Sequence, residues 1–398
     1  MKTYKSYLPQ VSIIVCTYNR VAYLKKCLDS LQKLNYPNYE IIVVNGPSTD
    51  KTDDLLSDYC DIKNLNQPKL NGLSVARNIG IKASSGEIIA FIDDDAVADA
   101  NWLTCLAEEY KDESVGGVGG LVYDITGSWL QFKNGFINKC GIPTFIVDNA
   151  PNFNDKGGYN FNYIMGTNSS FRKSTLVKVG CFDKNIKYYA DEAELCVRII
   201  KSGEKIIHTS KAKVFHGMVE GHNRKSPYDL NWSEIMKNVI YFTLKNFRGD
   251  FSSYTFRPTK SLYWWLKYFI HPYFNKDISL KQLFDIYLKL VIGAMNGYIS
   301  GLKVSVNKNN SILVNIPTFN RDDKLKICLL SQEFSKNCNG GVCRYTYDLA
   351  HALAELGNEV HVVTHSKKDH EYEYRTENVY VHAIIPQSID FLGLSNDM

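Results

Sequence analysis

Three aspartates in a row, Asp93, Asp94 and Asp95, close the apolar run Ile88-Ile89-Ala90-Phe91-Ile92. Adjacent carboxylates repel one another unless a cation stands between them, and a hard divalent cation with oxygen ligands is the natural neutraliser. Mg²⁺ is typically held by one or two such carboxylates together with substrate phosphates, so the triplet points towards a phosphate-bearing substrate. The competing reading is a solvated acidic turn ahead of a helix near Trp102. A second acidic group, Asp191-Glu192-Ala193-Glu194, opens the apolar series Leu195, Val197, Ile199 and Ile200. Asp191 followed three positions later by Glu194 fits a helix N-cap with its capping-box partner. Glu192 is then left without a structural task. Its place in the first helical turn favours the ionised form that a proton acceptor needs, so Glu192 is the expected general base and Asp191 the fallback.

These groups need elements to hold them. The first ninety-five residues alternate strand and helix signals: Val11–Cys16 is a short β-branched run, and Leu24, Cys27, Leu28, Leu31 and Leu34 recur at helical spacing. Ile41–Val44 is a second strand, Asp50 stands where it would cap a helix carrying Leu55 and Leu56, and 72–83 reads as a further helix before the strand 87–93. Continuous apolar strands separated by helices predict a mostly parallel central sheet covered on both faces, an α/β fold. Ligands then gather outside the carboxyl ends of the strands. Those ends carry Thr17-Tyr18-Asn19-Arg20, the loop Asn45–Asp50, and the aspartate triplet. A P-loop nucleotide triphosphatase is excluded because neither Gly-Lys-Ser nor Gly-Lys-Thr occurs in the chain. The glycine cluster at 116–120 lacks the GxGxxG spacing, so a dinucleotide fingerprint is unsupported.

Composition bounds the rest. The chain has 398 residues, 44% hydrophobic and 22% charged, as an ordinary globular protein has. Its net charge of +4 is too weak to argue for nucleic acid. The ten Cys are scattered without a CxxC pair, which reads as buried reduced thiols in a cytoplasmic protein. No signal-peptide hydrophobic region precedes Gln10, and no segment reaches the roughly 20 apolar residues of a membrane span. The nearest, Leu290–Leu302, is bounded by Lys289 and Lys303 and contains Asn296.

Together, Val11–Arg20, Asn45–Thr52, Gly72–Gly80 and Asp93-Asp94-Asp95 resemble the family 2 glycosyltransferases, inverting enzymes of the GT-A fold. The likeness continues through Gly166–Arg172, Gly180-Cys181-Phe182-Asp183 and Asp191–Arg198. It implies transfer of a sugar from a nucleotide-diphosphate donor to an acceptor hydroxyl, in polysaccharide, glycan or glycolipid synthesis, with Mn²⁺ or Mg²⁺ as cofactor. By that resemblance Thr17, Tyr18, Asn19, Arg20 and Asn45 cradle the nucleobase, and Arg77 and Asn78 line the nucleotide cleft. An ion pair with a nearby carboxylate is the competing role for Arg77. Asp93 meets the ribose or the metal, Asp94 belongs to the same nucleotide site, and Asp95 ligates the metal bridging the diphosphate. The resemblance also places the base at Glu192, the second residue of the acidic pair. His216 stands where relatives supply a third metal ligand, against the alternative of a hydrogen-bonded structural histidine. His222 and Arg224 are weaker candidates for the diphosphate, and Thr167 and Asn168 are expected beside the acceptor. Asn replaces the Asp that many relatives carry at 45, which leaves the base open, with a UDP-sugar the leading expectation. The rivals are a nucleotide-sugar-binding module without turnover and a sugar nucleotidyltransferase, whose glycine-rich first loop is missing here.

Three parts are expected: a catalytic domain over 1–220, an aromatic-rich helical extension over 221–320, and a third unit over 321–398. Between Tyr241 and Phe274 aromatic and basic residues interleave, as packed core or as a patch contacting a membrane that carries a lipid-linked acceptor. Gly293, Gly297 and Gly301 allow close helix approach, with the partner helix in the same chain or in a second copy of a homo-oligomer. A peripheral position at the inner face of the membrane follows from the patch reading. The strand at 325–331, the turn Asn339-Gly340-Gly341 and the apolar helix after it resemble the opening βαβ of family 4 (GT-B) glycosyltransferases. Seventy-five residues are too few for a whole GT-B enzyme, so a truncated bifunctional protein or a remnant without a second activity is expected.

Overall fold

The structure, a computed structural model, describes residues 8–145, 152–221, 224–249, 251–304, 326–335, 341–366, 370–376 and 378–385. The chain divides into two compact units, Met1–Val314 and Asn315–Met398. The first unit begins β1 (Val11–Thr17), α1 (Val21–Leu31), β2 (Tyr39–Asn45), α2 (Thr52–Ser57), β3 (Ile62–Asn66), α3 (Leu73–Ala83), β4 (Ile88–Asp93), β5 (Ala96–Ala98) and α4 (Trp102–Glu109). There follow β6 (Val115–Asp124), β7 (Leu130–Phe132), β8 (Gly135–Asn138), β9 (Pro143–Phe145), β10 (Asn160–Tyr163), a single 3-10 turn (Gly166–Asn168) and β11 (Ser169–Arg172). Next come α5 (Lys173–Val179), α6 (Asp191–Ser202) and β12 (Lys205–His216), and then the helices α7 (Trp232–Asn246), α8 (Phe251–Tyr254), α9 (Phe256–Tyr268), α10 (Ile270–Phe274) and α11 (Leu280–Lys303).

The continuous apolar runs become the centre of a nine-stranded sheet, ordered β3-β2-β1-β4-β11-β6-β12-β5 with β7 beside β6. From β3 to β4 it is parallel. Beyond β4, β11 runs antiparallel to both its neighbours. Both faces of the parallel part are covered, which is why its strands do not alternate polar and apolar. Val11, Ile13 and Val15 enter one core with Leu24, Leu28 and Leu31 of α1. Ile14 enters the other with Ala76 and Ile81 of α3 and with Phe91 and Phe171. The expected cap at Asp50 is displaced: α2 begins at Thr52 with Lys51 at its N-cap position. Asp50 instead accepts from the Thr52 N–H (3.1 Å) and from the Val21 N–H (3.0 Å) at the start of α1, tying the first two loops together.

The aromatic segment is part core and part exposed surface. Trp232, Tyr241, Phe242, Phe247, Trp265 and Phe269 are buried, with Trp232 edge-on to Phe269 at 4.8 Å between ring centroids. Phe256, Tyr263, Tyr268 and Phe274 are exposed. The glycine row of α11 finds its partner within the chain, since α11 lies along α7. A Cβ on Gly301 would stand 2.7 Å from Leu244 Cβ, one on Gly293 3.0 Å from Met236 Cβ, and one on Gly297 would strike the Lys237 carbonyl. Among the described residues no helix is long and apolar enough to cross a membrane.

The second unit contains β13 (Lys326–Leu330), α12 (Gly341–Glu355), β14 (Glu359–His365), β15 (Tyr372–Thr376) and β16 (Val379–Ile384). Its sheet is ordered β13-β14-β16-β15, parallel except for β15. Val360, Val362, Val379 and Val381 bury one face against Ala350 and Ala354 of α12. Among the described residues eight cysteines are free thiols, of which Cys60 and Cys328 are exposed, so the expectation of buried thiols fails for those two. Cys343 is disulfide-bonded, against the expectation of reduced thiols throughout.

Candidate active site

The aspartate triplet straddles a strand end. β4 stops at Asp93 and β5 starts at Ala96, so Asp94 and Asp95 form the turn between them. β12 pairs antiparallel with β5, His216 opposite Ala96, and this pairing carries a distant residue into the turn. His216 Nε2 lies 3.3 Å from Asp95 Oδ1 and 3.9 Å from Asp93 Oδ2. Ligand atoms of Asp93, Asp95 and His216 all fall within 4.8 Å of one another. Gln131, on β7, sets the ring. Its amide nitrogen donates to the His216 carbonyl (3.0 Å), which turns its oxygen to His216 Nδ1 (2.9 Å). Nδ1 therefore carries a proton, and Nε2 faces the carboxylates. Lone pairs there repel unless Nε2 is protonated or a cation lies among the three side chains. Two carboxylates and one imidazole make a donor set that fits Mg²⁺ or Mn²⁺, the nitrogen favouring Mn²⁺. Burial pushes the Asp95 carboxyl up, but His216, the Val219 N–H (2.9 Å) and Arg20 outweigh it and hold it below the usual value.

Asp94 turns away from this cluster. It is buried, accepting from Thr17 Oγ1 (2.8 Å) and Arg20 Nη1 (2.9 Å), and burial pushes its carboxyl up to about 6. Arg20 also lies 3.4 Å from Asp95 and donates to the carbonyls of Val219 and Glu220 (each 2.9 Å). It thus fastens the stretch after β12 onto the acidic turn.

The second acidic group folds differently from expectation. The α6 N-cap is Ala190, in the left-handed region at φ 68°, and no side chain caps the helix. Asp191 is the first helical residue, and Glu194 is not its capping partner. Glu194 is buried beneath Arg198 and Lys245, the latter at 2.8 Å, which together overcome burial and hold it down at about 2. Asp191 and Glu192 both meet Arg77, whose Nη1 donates to Asp191 Oδ2 (2.6 Å) and Glu192 Oε1 (2.7 Å). The guanidinium lies over the rings of Phe182 (5.1 Å) and Phe91 (5.6 Å). The side chain of Asp191 is 2% exposed and that of Glu192 17%. Burial, aided by the Glu192 charge, pushes Asp191 well up. Glu192 is desolvated too, but Arg77 and a hydrogen bond with Asp191 hold it below its usual value. The two carboxyls titrate as a pair around one guanidinium, which bonds to both and favours negative charge on them.

The 3-10 turn joins the two acidic groups. Thr167 Oγ1 donates to Asp93 Oδ2 (2.5 Å), and Gly166 lies so close to Glu192 and Arg77 that a Cβ there would collide with both. Asn168, expected beside the acceptor, is instead wholly engaged inside: it accepts from Trp102 Nε1 (2.8 Å) and donates to the Leu121 (2.9 Å) and Ala212 (3.2 Å) carbonyls. Asn78, half-buried, is likewise a backbone clamp, bonded through both amide ends to Phe182 (2.8 and 3.0 Å). Asn45 ends β2 with its amide spent on Asp53 and Ser48 (each 2.7 Å). Asn19, at φ 53°, accepts from the Thr49 N–H (2.7 Å), and Tyr18 packs against Gly46, so the first two loops form one wall. Arg224 donates to the Val219 carbonyl (3.1 Å), and His222 lies outside the described residues. Sequence reasoning missed Gln131, whose role depends on its strand pairing with β6, and the contact of Gly166 with Glu192.

A parallel sheet carrying an acidic turn at the end of β4, closed by antiparallel β11 and by a histidine-bearing last strand, is the GT-A class of fold. A solved structure titled "Crystal structure of GalNAc-T7 with UDP, GalNAc and Mn2+" shares it with a TM-score of 0.52 and 16% identity, over 65% of this chain and 51% of that one. Residues 12–180 match the model of Glycosyl transferase family 2. The glucosyl-dolichyl phosphate glucuronosyltransferase of Haloferax volcanii is 27% identical over 224 residues, 53% of this chain and 70% of that protein. The putative glycosyltransferase EpsH of Bacillus subtilis is 36% identical over 109 residues, 27% of this chain and 32% of its own length, so the match spans about a third of that relative.

Proposed function

We propose that the N-terminal unit is an inverting, metal-dependent glycosyltransferase that moves a sugar from a nucleotide-diphosphate donor to an acceptor hydroxyl. The observation that carries this reading is the 3-10 turn with Gly166 against Glu192 and Thr167 bonded to Asp93, so that a proton acceptor and a cation site flank one short segment. A divalent ion held by Asp93, Asp95 and His216 would supply stabilisation of the diphosphate leaving group. Glu192 takes the proton of the acceptor hydroxyl as that oxygen bonds to the anomeric carbon and the carbon–diphosphate bond breaks on the opposite face. Arg77 keeps Glu192 ionised and aimed. Asp191 is the more deeply buried of the two and burial pushes its carboxyl well up, which favours the more accessible Glu192 over the fallback base. Thr17, Tyr18, Asn19, Arg20 and Asn45 form or brace the donor wall, and a UDP-sugar is the leading donor. The acceptor is a carbohydrate or a lipid-linked sugar, on the cytoplasmic side. For the second unit we read the opening βαβ of a GT-B domain without a second activity, supported by the parallel β13–α12–β14 order.

The test pairs two variants. Glu192→Gln is expected to abolish transfer while still binding a UDP-sugar, and Asp95→Ala to lose Mn²⁺-dependent donor binding. Full activity in either variant removes that residue from its role. Donor binding without turnover by the unaltered protein across a panel of nucleotide sugars and acceptors would make it a binding module instead.

A further inference from the structure

Helix α11 has two faces of opposite character. Ile286, Leu290, Gly293, Gly297 and Gly301 are buried, the glycines against α7. On the other side Leu280, Phe284, Leu288, Ile292, Met295 and Ile299 are exposed, a single stripe at helical spacing running along about 29 Å of helix. Phe284 is 71% exposed and Met295 62%. Phe274, at the end of α10, is 75% exposed just ahead of it in sequence. An apolar stripe of this length is costly to leave in water and marks a contact surface. Charge identifies what it contacts. Residues 251–303 contain seven Lys or Arg, two Asp and no Glu, a net of +5, whereas the whole chain carries only +4. All of the excess positive charge therefore resides in the segment that holds the stripe. A second copy of the chain would bring one net-positive segment against another, whereas an anionic lipid surface complements it. Lys281 and Lys303 stand exposed at the two ends of α11, where long stems can lie along apolar surface while the ammonium groups reach headgroups.

We propose that the outward face of α11 docks the protein on an anionic phospholipid bilayer, the helix lying in the interface plane. The surface differs from the aromatic patch suggested by sequence, much of which is core, and it stands whether or not the transferase reading holds. The test is flotation of the full chain with phosphatidylcholine vesicles, with and without phosphatidylglycerol. The wild-type chain is expected to float with the anionic vesicles and to be released by high salt. F284E/M295E is expected to weaken binding at least about ten-fold, with an unchanged unfolding midpoint. K281Q/K303Q, which leaves the apolar stripe whole, is expected to weaken binding to anionic vesicles by about ten-fold and to leave the weak binding to neutral ones unchanged. The proposal is overturned if the wild-type chain does not float, or if both variants float as well as it does. A wild-type dimer in sedimentation velocity that F284E/M295E converts to monomer, without vesicle binding, would assign the stripe to a second copy.

Discussion

Replacing Arg77 by Met removes the one cation that both candidate carboxylates share, at 2.6 and 2.7 Å. A unit charge about 4 Å away acts with about 4 kcal/mol at the effective dielectric of a partly buried site, the equivalent of about 3 pH units. The exposed edge of Glu192 lets water screen part of that, so the expected shift is about 2 units. Its direction follows from the chemistry. In the proposed mechanism Glu192 works as a base when ionised, and Arg77 stabilises that form. Without Arg77 the carboxyl keeps its proton to higher pH, and the acid limb of the kcat profile moves upward. Arg77→Lys, which retains a cation on a flexible stem, should restore most of the limb. The assay is donor turnover from pH 5 to 9 at saturating Mn²⁺, with unfolding midpoints of both variants as the control. Loss of a buried ion-pair partner costs about 3–5 kcal/mol, so stability will fall, but lost stability alone does not move a limb along the pH axis. If Arg77→Met lowers kcat equally at every pH, Arg77 does not set the ionisation of the base and the reasoning fails.

Gly166→Ala puts a methyl group where the Glu192 carboxylate and Arg77 stand, so kcat should drop about 10²-fold with donor affinity nearly unchanged, read by steady-state kinetics and calorimetry. Gln131→Met frees the His216 ring, and Mn²⁺ affinity, measured by isothermal titration, should weaken about 10–100-fold while activity recovers at high Mn²⁺. Glu194 is held at about 2 against an ordinary 4.5, so its ionised form stabilises the fold above pH 4.5 and that contribution disappears as the pH falls towards 2. Glu194→Gln should therefore cost about 3 kcal/mol in urea unfolding at neutral pH, with the gap to wild type closing through that acid window.

The parallel part of the sheet was legible in the sequence because Ile13 and Ile14 face opposite cores, which leaves an unbroken apolar run and no alternation. The ends of those runs located Asp93 and Asp95. His216 was placed only by resemblance, since its position depends on β12 pairing with β5, a register that no local pattern encodes. The capping box failed for a reason that spacing cannot express. Ala190 adopts a left-handed backbone, so the helix starts at Asp191 and turns its first carboxylates inward to Arg77, while Glu194 is drawn to Arg198 and Lys245. Asn78 and Asn168 have the residue types of ligand-binding amides, yet Asn78 bonds to the backbone of Phe182, and Asn168 to two backbone carbonyls and the Trp102 ring nitrogen. Buried amides are satisfied where they can be, and sequence does not say by whom.

The three adjacent aspartates, alike in sequence, are made different by what each one faces. Asp93 keeps about a third of its side chain open and takes a hydroxyl bond from Thr167. Asp95 is buried but charged, because His216, a backbone N–H and Arg20 all favour the ionised form. Asp94 is buried with a single guanidinium and one hydroxyl, too little to cancel its desolvation, and it is the one that rises. A cation recruited to the turn would therefore meet two carboxylates and one imidazole, with Asp94 on the far side gripping Arg20. In that arrangement Asp94 holds the end of β1 to the end of β4 through Thr17, and through Arg20 it also holds the stretch after β12. The triplet thus offers one candidate cation site and one brace, and the brace ties together the loops that carry it.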